Sequence, residues 1–562
     1  MRRKLPASNW KIGDDNVTTR RDFLKELASA GAVATLGTSS PSVALAQTSR
    51  VPVAEKHWDS GSLVHLLPTV SHDRILIKAS FSAPLPAAPV LRVGEKMRVR
   101  GQQTDSRGEF WQFDAADLKA DSTYRLSLST AGGRALCESW TLRTFPAPDA
   151  RPEKLRLLMY TCAGGHDALT PIDGKTLFLP VAVRNRLLRR ALSFQPDALI
   201  ANGDHVYWDL AAPRASPLLG ASQRAKDYAG PFDRTRPVLG TPNETFLRRA
   251  AGEQIAPLYG TLCRSTPVFF MQDDHDFFDN DEATDEVITF PPNHWMKDLG
   301  RTTQRMYYPE FLPDAMRPAG LPGSSSLDRA PGVSEGFGTL RYGTLAEVLM
   351  YTVRTTMTLA GPSAVFVDPD VEDWLKARMA GRELAHVINI PSNPPGWSAG
   401  KWGEWYPDLL GADGKLSIAK AKPYWQSGWL KQHDRLMAAA SGMAGRIPLV
   451  VSGDLHAIAE GRMMRTGTVD LSKNPVNAVL AGPLGSGDLV WASAFRGIGP
   501  MPPVHLDMQE DLKPLEENGF VVADLTPDKI VLRYFRWNAH RDSVESIDSL
   551  QPFRTTELKR PG

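Results

Sequence analysis

Hydrophobic and polar positions alternate in short runs between about residue 50 and residue 147. Residues 124–128 and 140–145 change from polar to apolar at nearly every step, which is typical of strands that bury one face. Residues 74–81 form a short apolar run, and clusters of Gly, Pro, Asp and Ser separate these segments. Short strands with regular turn signals predict an all-β sandwich domain over 50–147.

The pattern changes after a Pro-rich linker that ends near residue 152. Apolar runs now end in polar motifs and alternate with helical segments such as 183–194. The clearest predicted strands are 155–160, 198–201, 267–271 and 447–451. This alternation predicts a layered α/β (α+β) domain over 153–545, in which loops at strand ends carry the chemistry.

Two later stretches add to this organisation. Residues 519–525 and 529–535 are apolar runs on either side of Thr526-Pro-Asp528, which predicts a β-hairpin. The interval from about 282 to 345 is rich in Pro, Gly and Ser, and we expect it to form a long insertion.

The first 46 residues have the pattern of an export signal. Arg20 and Arg21 precede a mild apolar run, 27–36, and Ala44-Leu45-Ala46 is a small-x-small cleavage site. This segment resembles a bacterial twin-arginine signal peptide, and its apolar run is shorter than the roughly 20 residues of a membrane span. We therefore expect the twin-arginine export machinery as a partner, a periplasmic or secreted location, and no transmembrane segment in the mature chain.

Charge and cysteine content limit the function classes. The formal net charge of the 562 residues is +2, and the first 46 residues carry seven Lys/Arg and four Asp/Glu, which leaves 58 and 59, or −1, for the remainder. This balance gives no reason to expect nucleic acid or an anionic membrane as a partner, so any attraction for an anionic substrate must be local. The three cysteines, an odd number, leave at least one thiol unpaired.

Two polar motifs follow the first two strands of the α/β pattern. Cys162 ends an apolar strand and enters a glycine turn, and Asp204 follows Gly203 at the end of the next strand, with Tyr207 three residues later. Each has an ordinary structural explanation, since a lone cysteine is often buried and Gly-Asp is a common turn.

Two further motifs are richer in metal-ligand side chains. Residues 273–281 read Asp-Asp-His-Asp-Phe-Phe-Asp-Asn-Asp, with five carboxylates that repel one another unless they are solvated or bind cations. Asp454 and His456 follow the strand at 447–451 and can both face one ion. A solvated acidic loop is the alternative for 273–281, but two phenylalanines interrupt it. Four strands that deliver carboxylates, imidazole and a thiol to one sheet edge predict a metal site.

The four motifs together resemble calcineurin-like metallophosphoesterases, specifically the alkaline phosphatase D (PhoD-like) branch. The general pattern of that superfamily is Asp-x-His, Gly-Asp, Gly-Asn-His-Asp/Glu and Gly-His-x-His. This chain departs from it as the PhoD-like branch does: Cys162 replaces the first Asp, Tyr207 follows at Asp-x-x-Tyr spacing, Asp274 replaces the Asn, and Asp454 replaces the first His of the last motif. The resemblance spans about 50–540 and implies a β-sheet sandwich flanked by helices.

The resemblance also implies a site and a reaction. It implies Fe³⁺ bound by thiolate and phenolate, with Ca²⁺ alongside, in a cluster held by Cys162, Asp204, Tyr207, Asp274, Asp454 and His456. The implied reaction is hydrolysis of a phosphate ester by in-line attack of a metal-activated hydroxide on phosphorus. In this resemblance His275 contacts the phosphate and can protonate the leaving oxygen. Asn280, five residues later, could donate to the phosphate.

Several alternatives remain open at this stage. A phosphodiesterase or a phospholipase of D-type specificity would use the same site, and a secreted, non-catalytic binding protein is the rival outside the enzyme class. Trp402, Trp405 and Tyr406 could line a substrate pocket or pack in a core. Other histidines are not expected to be ligands: His386 and His433, between the third and fourth motifs, and His166 and His205, beside the first two.

Overall fold

The computed structural model describes residues 58–166, 174–208, 232–277, 292–313, 336–399 and 427–561 except 359 and 496, together with Ser334 and two short strands at 409–410 and 416–417. The predicted signal peptide, Asn280 and the aromatic residues at 402–406 lie outside the described residues, so these expectations stay predictions.

The N-terminal part contains eight strands in two antiparallel four-stranded sheets, ordered β1-β2-β6-β5 and β4-β3-β7-β8. The strands are β1 Leu63–Val70, β2 Ile75–Phe81, β3 Val90–Val93, β4 Met97–Arg100, β5 Gln102–Gln103, β6 Phe110–Ala115, β7 Thr123–Ser129 and β8 Trp140–Arg143. Inward residues such as Leu91, Leu126 and Leu142 are fully or almost fully buried, whereas their neighbours along the strand are exposed or half-buried. The sequence prediction that this part is all-β is confirmed, and the structure adds that both sheets are antiparallel.

The rest of the chain alternates strands and helices. The strands are β9 Leu155–Tyr160, β10 Ala198–Asn202, β11 Val268–Met271, β12 Phe337–Tyr342, β13 Ala346–Tyr351, β14 His386–Pro391, β15 Leu409–Leu410, β16 Leu416–Ser417, β17 Leu449–Ser452, β18 Ile458–Thr466, β19 Val469–Asp470, β20 Val476–Ala481, β21 Leu506–Leu515, β22 Asn518–Thr526, β23 Lys529–Trp537 and β24 Arg554–Lys559. The helices are α1 Val181–Leu192, α2 Pro242–Tyr259, α3 His294–Tyr307, α4 Pro369–Ala380, α5 Ser427–Ser441 and α6 Ala492–Phe495, with 3₁₀ turns at Asp274–Phe277, Gly361–Ser363 and Val544–Ser549.

Two mixed sheets form the centre of this part. The first has the order β11-β10-β9-β22-β23-β24, and β9, β10 and β11 run parallel. The second has the order β12-β13-β14-β17-β20-β18-β19, with β21 also paired to β18, and β13, β14, β17 and β20 run parallel. The predicted hairpin is present, since β22 and β23 pair from Asn518 and Trp537 to Thr526 and Lys529.

The two central sheets pack face to face between layers of helices. One buried cluster combines inner residues of both sheets, such as Leu157 and Met271 of the first with Val348 and Val451 of the second. The outer face of the first sheet packs against α1, α2 and α3, and that of the second packs against α4 and α5. This is the β-sheet sandwich flanked by helices that the sequence predicted.

The interval 282–345 differs from the expected insertion. It contains α3, in which Trp295 and Leu299 are buried, and β12, which pairs with β13 in the second central sheet. These parts therefore belong to the folded layers. Their burial against neighbouring elements outweighs the turn-forming composition of the surrounding sequence.

Two further observations concern the chain as a whole. Residues 58–562 form one compact unit, and the predicted division near residues 147–153 stays a prediction. Within the described part of the chain, no helix has the length and hydropathy needed to cross a bilayer.

Candidate metal centre

The predicted site residues lie just beyond the carboxyl ends of four parallel strands. Cys162, Asp204 and Asp274 follow β9, β10 and β11 of the first central sheet, and Asp454 follows β17 of the second. The two sheets meet at this edge, where Thr161 donates its backbone N–H to Gly482, just after β20, at 3.0 Å. Parallel strands end together, so residues far apart in sequence converge there.

The first cluster joins a thiol, a carboxylate, a phenol and an imidazole. Sγ of Cys162 lies 3.2 Å from Oδ2 of Asp204. The Tyr207 hydroxyl lies 3.4 Å from the same carboxylate oxygen and 3.1 Å from Nε2 of His456. Potential ligand atoms of Cys162, Asp204 and His456 all lie within 4.8 Å of one another, and the three residues are buried.

Two carboxylate clusters adjoin the first. Ligand atoms of Asp204, Asp274 and His275 lie within 4.8 Å of one another, as do those of Asp273, Asp274 and Asp454. Asp204 belongs to the first two clusters and Asp274 to the last two, so the three groups form one continuous site. The His275 ring lies against that of Tyr207, with ring centroids 4.3 Å apart.

Four of these side chains come from residues with left-handed backbone conformation. The φ angles are 48° at Cys162, 58° at Asp204, 65° at Asp454 and 50° at His456. Non-glycine residues adopt such angles rarely, at a cost of about 1–3 kcal/mol each, and they concentrate at functional sites. The loops that follow β9, β10 and β17 therefore bend sharply and direct these side chains towards one another.

Position 203 requires glycine for a steric as well as a conformational reason. Gly203 has φ +79°, and a Cβ built there would lie 2.6 Å from Cβ of Asp273. The loop after β10 can therefore approach the loop after β11 only because residue 203 has no side chain.

The electrostatics of the site favour a bound cation. Burial, together with the charges of Asp274 and Asp273, raises the pKa of Asp204 well above its usual value, and burial raises the pKa of Cys162 and Tyr207. Oδ1 of Asp204 is buried and accepts no hydrogen bond from the described residues. A cation would offset the repulsion between these groups and occupy that oxygen, so the residues present fit a metal.

The donor types differ across the site. Cys162, Tyr207 and His456 offer a thiol, a phenol and an imidazole, a set that suits a transition metal. Asp273, Asp274 and Asp454 offer only carboxylate oxygens, which suit a hard cation such as Ca²⁺. Asp204 lies between the two sets and could bridge them.

Two buried side chains that the sequence did not single out hold the Asp204–Tyr207 loop. The carboxylate of Asp276 accepts backbone N–H groups of residues 204, 205, 206 and 273, each at 3.0 Å. Burial raises the pKa of Asp276 to about 7, while these hydrogen bonds act in the opposite direction. Oε1 of Gln254, on α2, accepts the N–H groups of Gly165 at 2.8 Å and Tyr207 at 3.0 Å. Gln254 thus ties the first motif to the second.

Two other partners of the candidate ligands were also missed. Arg354, fully buried just after β13, donates from Nε to Oδ1 of Asp273 at 2.6 Å and from Nη2 to Oδ2 of Asp454 at 3.0 Å. Ser486 lies with its Oγ 2.9 Å from Nδ1 of His456, on the side of the ring away from the cluster. Neither residue stands in a recognisable motif.

The comparisons with known proteins concern the fold. No protein-family model matches the chain, and no curated protein matches it. Among solved structures, that of PhoD aligns with a TM-score of 0.54 and 11% identity over 89% of this chain and 91% of that one. Purple acid phosphatase PPD1 from yellow lupin (Lupinus luteus) seeds aligns with a TM-score of 0.51 and 12% identity over 89% of this chain and 75% of that one.

The fold resembles that of PhoD. At these identities the likeness concerns the fold alone and leaves the activity to be argued from the site. The buried Cys, Asp and His clusters that could hold metal are consistent with that fold.

The other histidines have local structural roles. His386 begins β14, at the end of the strand opposite to the site, with Nε2 2.6 Å from the carbonyl of Thr526. His433 has its Nε2 3.2 Å from the carbonyl of Pro395. His166 and His205 are buried behind the site, where they contact Gln254 Nε2 at 2.9 Å and the Met271 carbonyl at 2.6 Å.

Proposed function

We propose that this protein is a metal-dependent phosphate-ester hydrolase of the alkaline phosphatase D type. The observation that carries the proposal is the shared position of Asp204, which joins the Cys162–His456 cluster to the carboxylate cluster around Asp274. A fold resembling those of PhoD and a purple acid phosphatase supports it. The substrate class we propose is small phosphate esters.

We propose that the two donor sets take different ions. Fe³⁺ would be held by Cys162, Asp204, Tyr207 and His456, and Ca²⁺ by Asp204, Asp274 and Asp454. Such ions, when bound, acidify water and offset the charge of phosphoryl oxygens. The raised pKa values of the ligand side chains mean that binding of the ions would release protons.

The chain's own residues would orient the ester and move the proton. His275 is half-buried beside Tyr207, next in sequence to Asp274, where a phosphoryl group at the carboxylate cluster would come within reach of its ring. We propose that His275 donates a hydrogen bond to the phosphate and a proton to the leaving oxygen, a general-acid role. Asn280 is proposed as a further donor to the phosphate.

A phosphodiesterase, including one of phospholipase D-type specificity, remains the second candidate. The same ligands would serve either ester, because the leaving group is selected outside the metal centre. We further propose export by the twin-arginine route to the periplasm or beyond, on the signal-like pattern of residues 1–46.

The experiment compares hydrolysis of p-nitrophenyl phosphate and bis-p-nitrophenyl phosphate by the purified protein at alkaline pH. It is run with and without chelator and with Ca²⁺ restored, while metal content is measured by mass spectrometry. We expect chelator-sensitive turnover, and the ratio of the two rates selects monoesterase or diesterase.

Variants separate catalysis from mere metal binding. Asp204→Asn should lose metal and activity together, whereas His275→Asn should retain metal and lose turnover by about 10²–10⁴-fold, the usual contribution of a general acid. Asp507→Asn, an exposed carboxylate on β21, is the matched control and should behave as wild type. A metal-loaded protein that hydrolyses neither ester would contradict the proposal and favour the non-catalytic binding protein.

A further inference from the structure

One exposed face of the N-terminal part carries arginine and no acidic residue. In the sheet β4-β3-β7-β8, directly paired residues share a face, so the register defines the outward positions. These ten positions are Val90, Arg92, Arg98, Arg100, Thr123, Arg125, Ser127, Ser129, Thr141 and Arg143. Five are arginine, four are Ser or Thr and one is Val. We call these residues the arginine face.

Three of the arginines lie next to one another, so that like charges are adjacent. Arg92 on β3 lies directly opposite Arg98 on β4, and Arg100 follows two residues later on the same side. Like charges directly opposite each other on adjacent strands destabilise a sheet. All three side chains are exposed, and within the described residues no carboxylate forms an ion pair with them. Folding alone therefore gives no reason for this arrangement.

The remaining two arginines are only partly compensated. Arg143 forms an ion pair with Asp121, which precedes β7. Nε of Arg125 donates to the hydroxyl of Ser139 at 2.9 Å, a neutral partner. The acids nearest in sequence are Glu95 in the β3–β4 turn, Asp121 before β7 and Glu138 before β8, and all three lie outside the outward rows.

Another exposed part of the chain shows the usual balance. On β23 and β24, Lys529 pairs with Glu557 at 2.7 Å, and Lys559 lies 3.6 Å from the same carboxylate. The arginine face lacks such alternation. Its inward side, with Leu91, Leu126 and Leu142 buried, already provides the packing of the sheet.

We propose that the arginine face docks the protein on an anionic phospholipid surface. The net charge of the chain after residue 46 is close to zero, so this attraction is local to one face. Guanidinium groups bind phosphate oxygens in bidentate fashion, and all five basic residues here are arginine rather than lysine. Basic residues near an anionic bilayer each contribute attraction that salt screens.

The shape and composition of the face favour a bilayer over a polymer. The outward positions lie on a four-stranded sheet, and a sheet face is broad and shallow, with no groove to enclose a strand. They include no aromatic residue, so bases would find no stacking platform, which single-stranded nucleic-acid sites normally have. The one apolar outward residue, Val90, is half-buried, so we expect electrostatic docking without insertion.

The test is co-sedimentation of the full-length protein with vesicles of phosphatidylcholine alone or with 30% phosphatidylglycerol. The variant is Arg92→Ser/Arg98→Ser/Arg100→Ser. Loss of three basic residues should weaken partition onto the anionic vesicles by on the order of 100-fold. The matched control, Arg249→Ser/Arg382→Ser/Lys473→Ser, removes the same charge from exposed positions elsewhere and should bind like wild type.

A second measurement distinguishes binding through the arginine face from binding through the basic residues near the N-terminus. A polarity-sensitive fluorophore is attached at Thr141→Cys, on the arginine face, or at Thr555→Cys, an exposed position on β24. Labelling is selective because the three native cysteines are buried. We expect a vesicle-dependent change from the probe at 141 and none from the probe at 555.

The outcomes are distinct. Loss of binding only in the arginine-face variant, with an unchanged or raised Tm, supports the proposal, because removal of Arg92 and Arg98 relieves repulsion. Equal binding of all three proteins, or equal binding to neutral vesicles, would overturn it. Retention of soluble polyphosphate by the arginine face without vesicle binding would also overturn it and identify a phosphate polymer as the ligand.

Discussion

Nη2 of Arg354 lies 3.0 Å from Oδ2 of Asp454, so a fixed positive charge already occupies one side of a candidate metal ligand. Its Nε pairs at 2.6 Å with Asp273. The guanidinium thus offsets two of the carboxylates that a metal would otherwise have to compensate. The carboxylate cluster is partly neutralised by the protein itself.

Arg354→Met should make the site depend more strongly on divalent cations. Removing one partner of a buried ion pair costs about 3–5 kcal/mol, because the remaining charges stay buried. Added Ca²⁺ should restore part of this loss, which thermal unfolding at increasing Ca²⁺ concentration measures. Arg378→Met, which breaks the buried pair with Glu347 away from the site, is the control and should show no such rescue. An equal Ca²⁺ response in both variants would contradict this role.

Gln254→Leu should weaken metal binding at the candidate centre without replacing a candidate ligand. The variant loses the acceptor for the Gly165 and Tyr207 N–H groups, so the phenol is no longer fixed. Losses of outer partners typically cost about 10–100-fold in metal affinity or activity. Metal content and, with iron bound, the position of the phenolate-to-iron absorption band measure the effect. Gln432→Leu, a buried glutamine beside α4, should alter stability and leave the band unchanged.

Ser486→Ala tests the orientation of His456. Without the contact between Ser486 Oγ and Nδ1, the imidazole loses the group that sets its tautomer and ring angle. We expect about 10–100-fold weaker metal binding in a competition titration, with Ser486→Thr closer to wild type. Ser441→Ala removes a hydroxyl hydrogen bond remote from the site and should have no effect on metal affinity. Unchanged affinity in Ser486→Ala would show that His456 needs no such support.

His65 should contribute to the loss of stability in acid. It is buried on β1 and faces the end of α3, with ring nitrogens 2.7 Å from Ser80 Oγ and from the Tyr307 carbonyl. Burial lowers its pKa from 6.5 to about 4, so the unfolded chain binds this proton more readily than the folded one. The free energy of unfolding therefore does not depend on this group above pH 6.5. As the pH falls from 6.5 towards 4, protonation of His65 in the unfolded chain lowers the free energy of unfolding by about 3 kcal/mol.

The measurement for His65 is the free energy of unfolding by denaturant at several pH values. His65→Gln should be less stable near pH 7, and the difference from wild type should shrink as the pH falls from 6.5 to 4. A constant difference across this range would exclude titration of His65 as the cause.

Strand ends were the part of the molecule that the sequence predicted best. The run 155–160 coincides with β9, and Cys162, Asp204, Asp274 and Asp454 follow their strands as expected. An apolar run that stops at a polar residue marks both the buried strand and the loop beyond it, so one local pattern carries both predictions. The roles of these residues as ligands stay predictions.

Residues that act through tertiary contacts left no such pattern. Gln254 is one of many polar positions on a helix, and its role depends on two loops that only folding brings to it. Arg354 follows β13 within an ordinary polar stretch. Helix α3 was missed for a related reason: Gly300 weakens the helical signal, yet a Cβ there would lie 2.6 Å from the Phe277 ring. Glycine is thus required at 300 by close packing, and the same glycine lowers the helical propensity from which α3 could have been predicted.

The candidate ligands are divided between the two central sheets, with Cys162, Asp204 and Asp274 on one and Asp454 and His456 on the other. A growing chain therefore cannot complete the site until it has been synthesised through His456 and the sheets have docked. Metal binding would therefore occur late in folding, and a fully occupied centre would indicate that both halves of the sandwich had reached their final register.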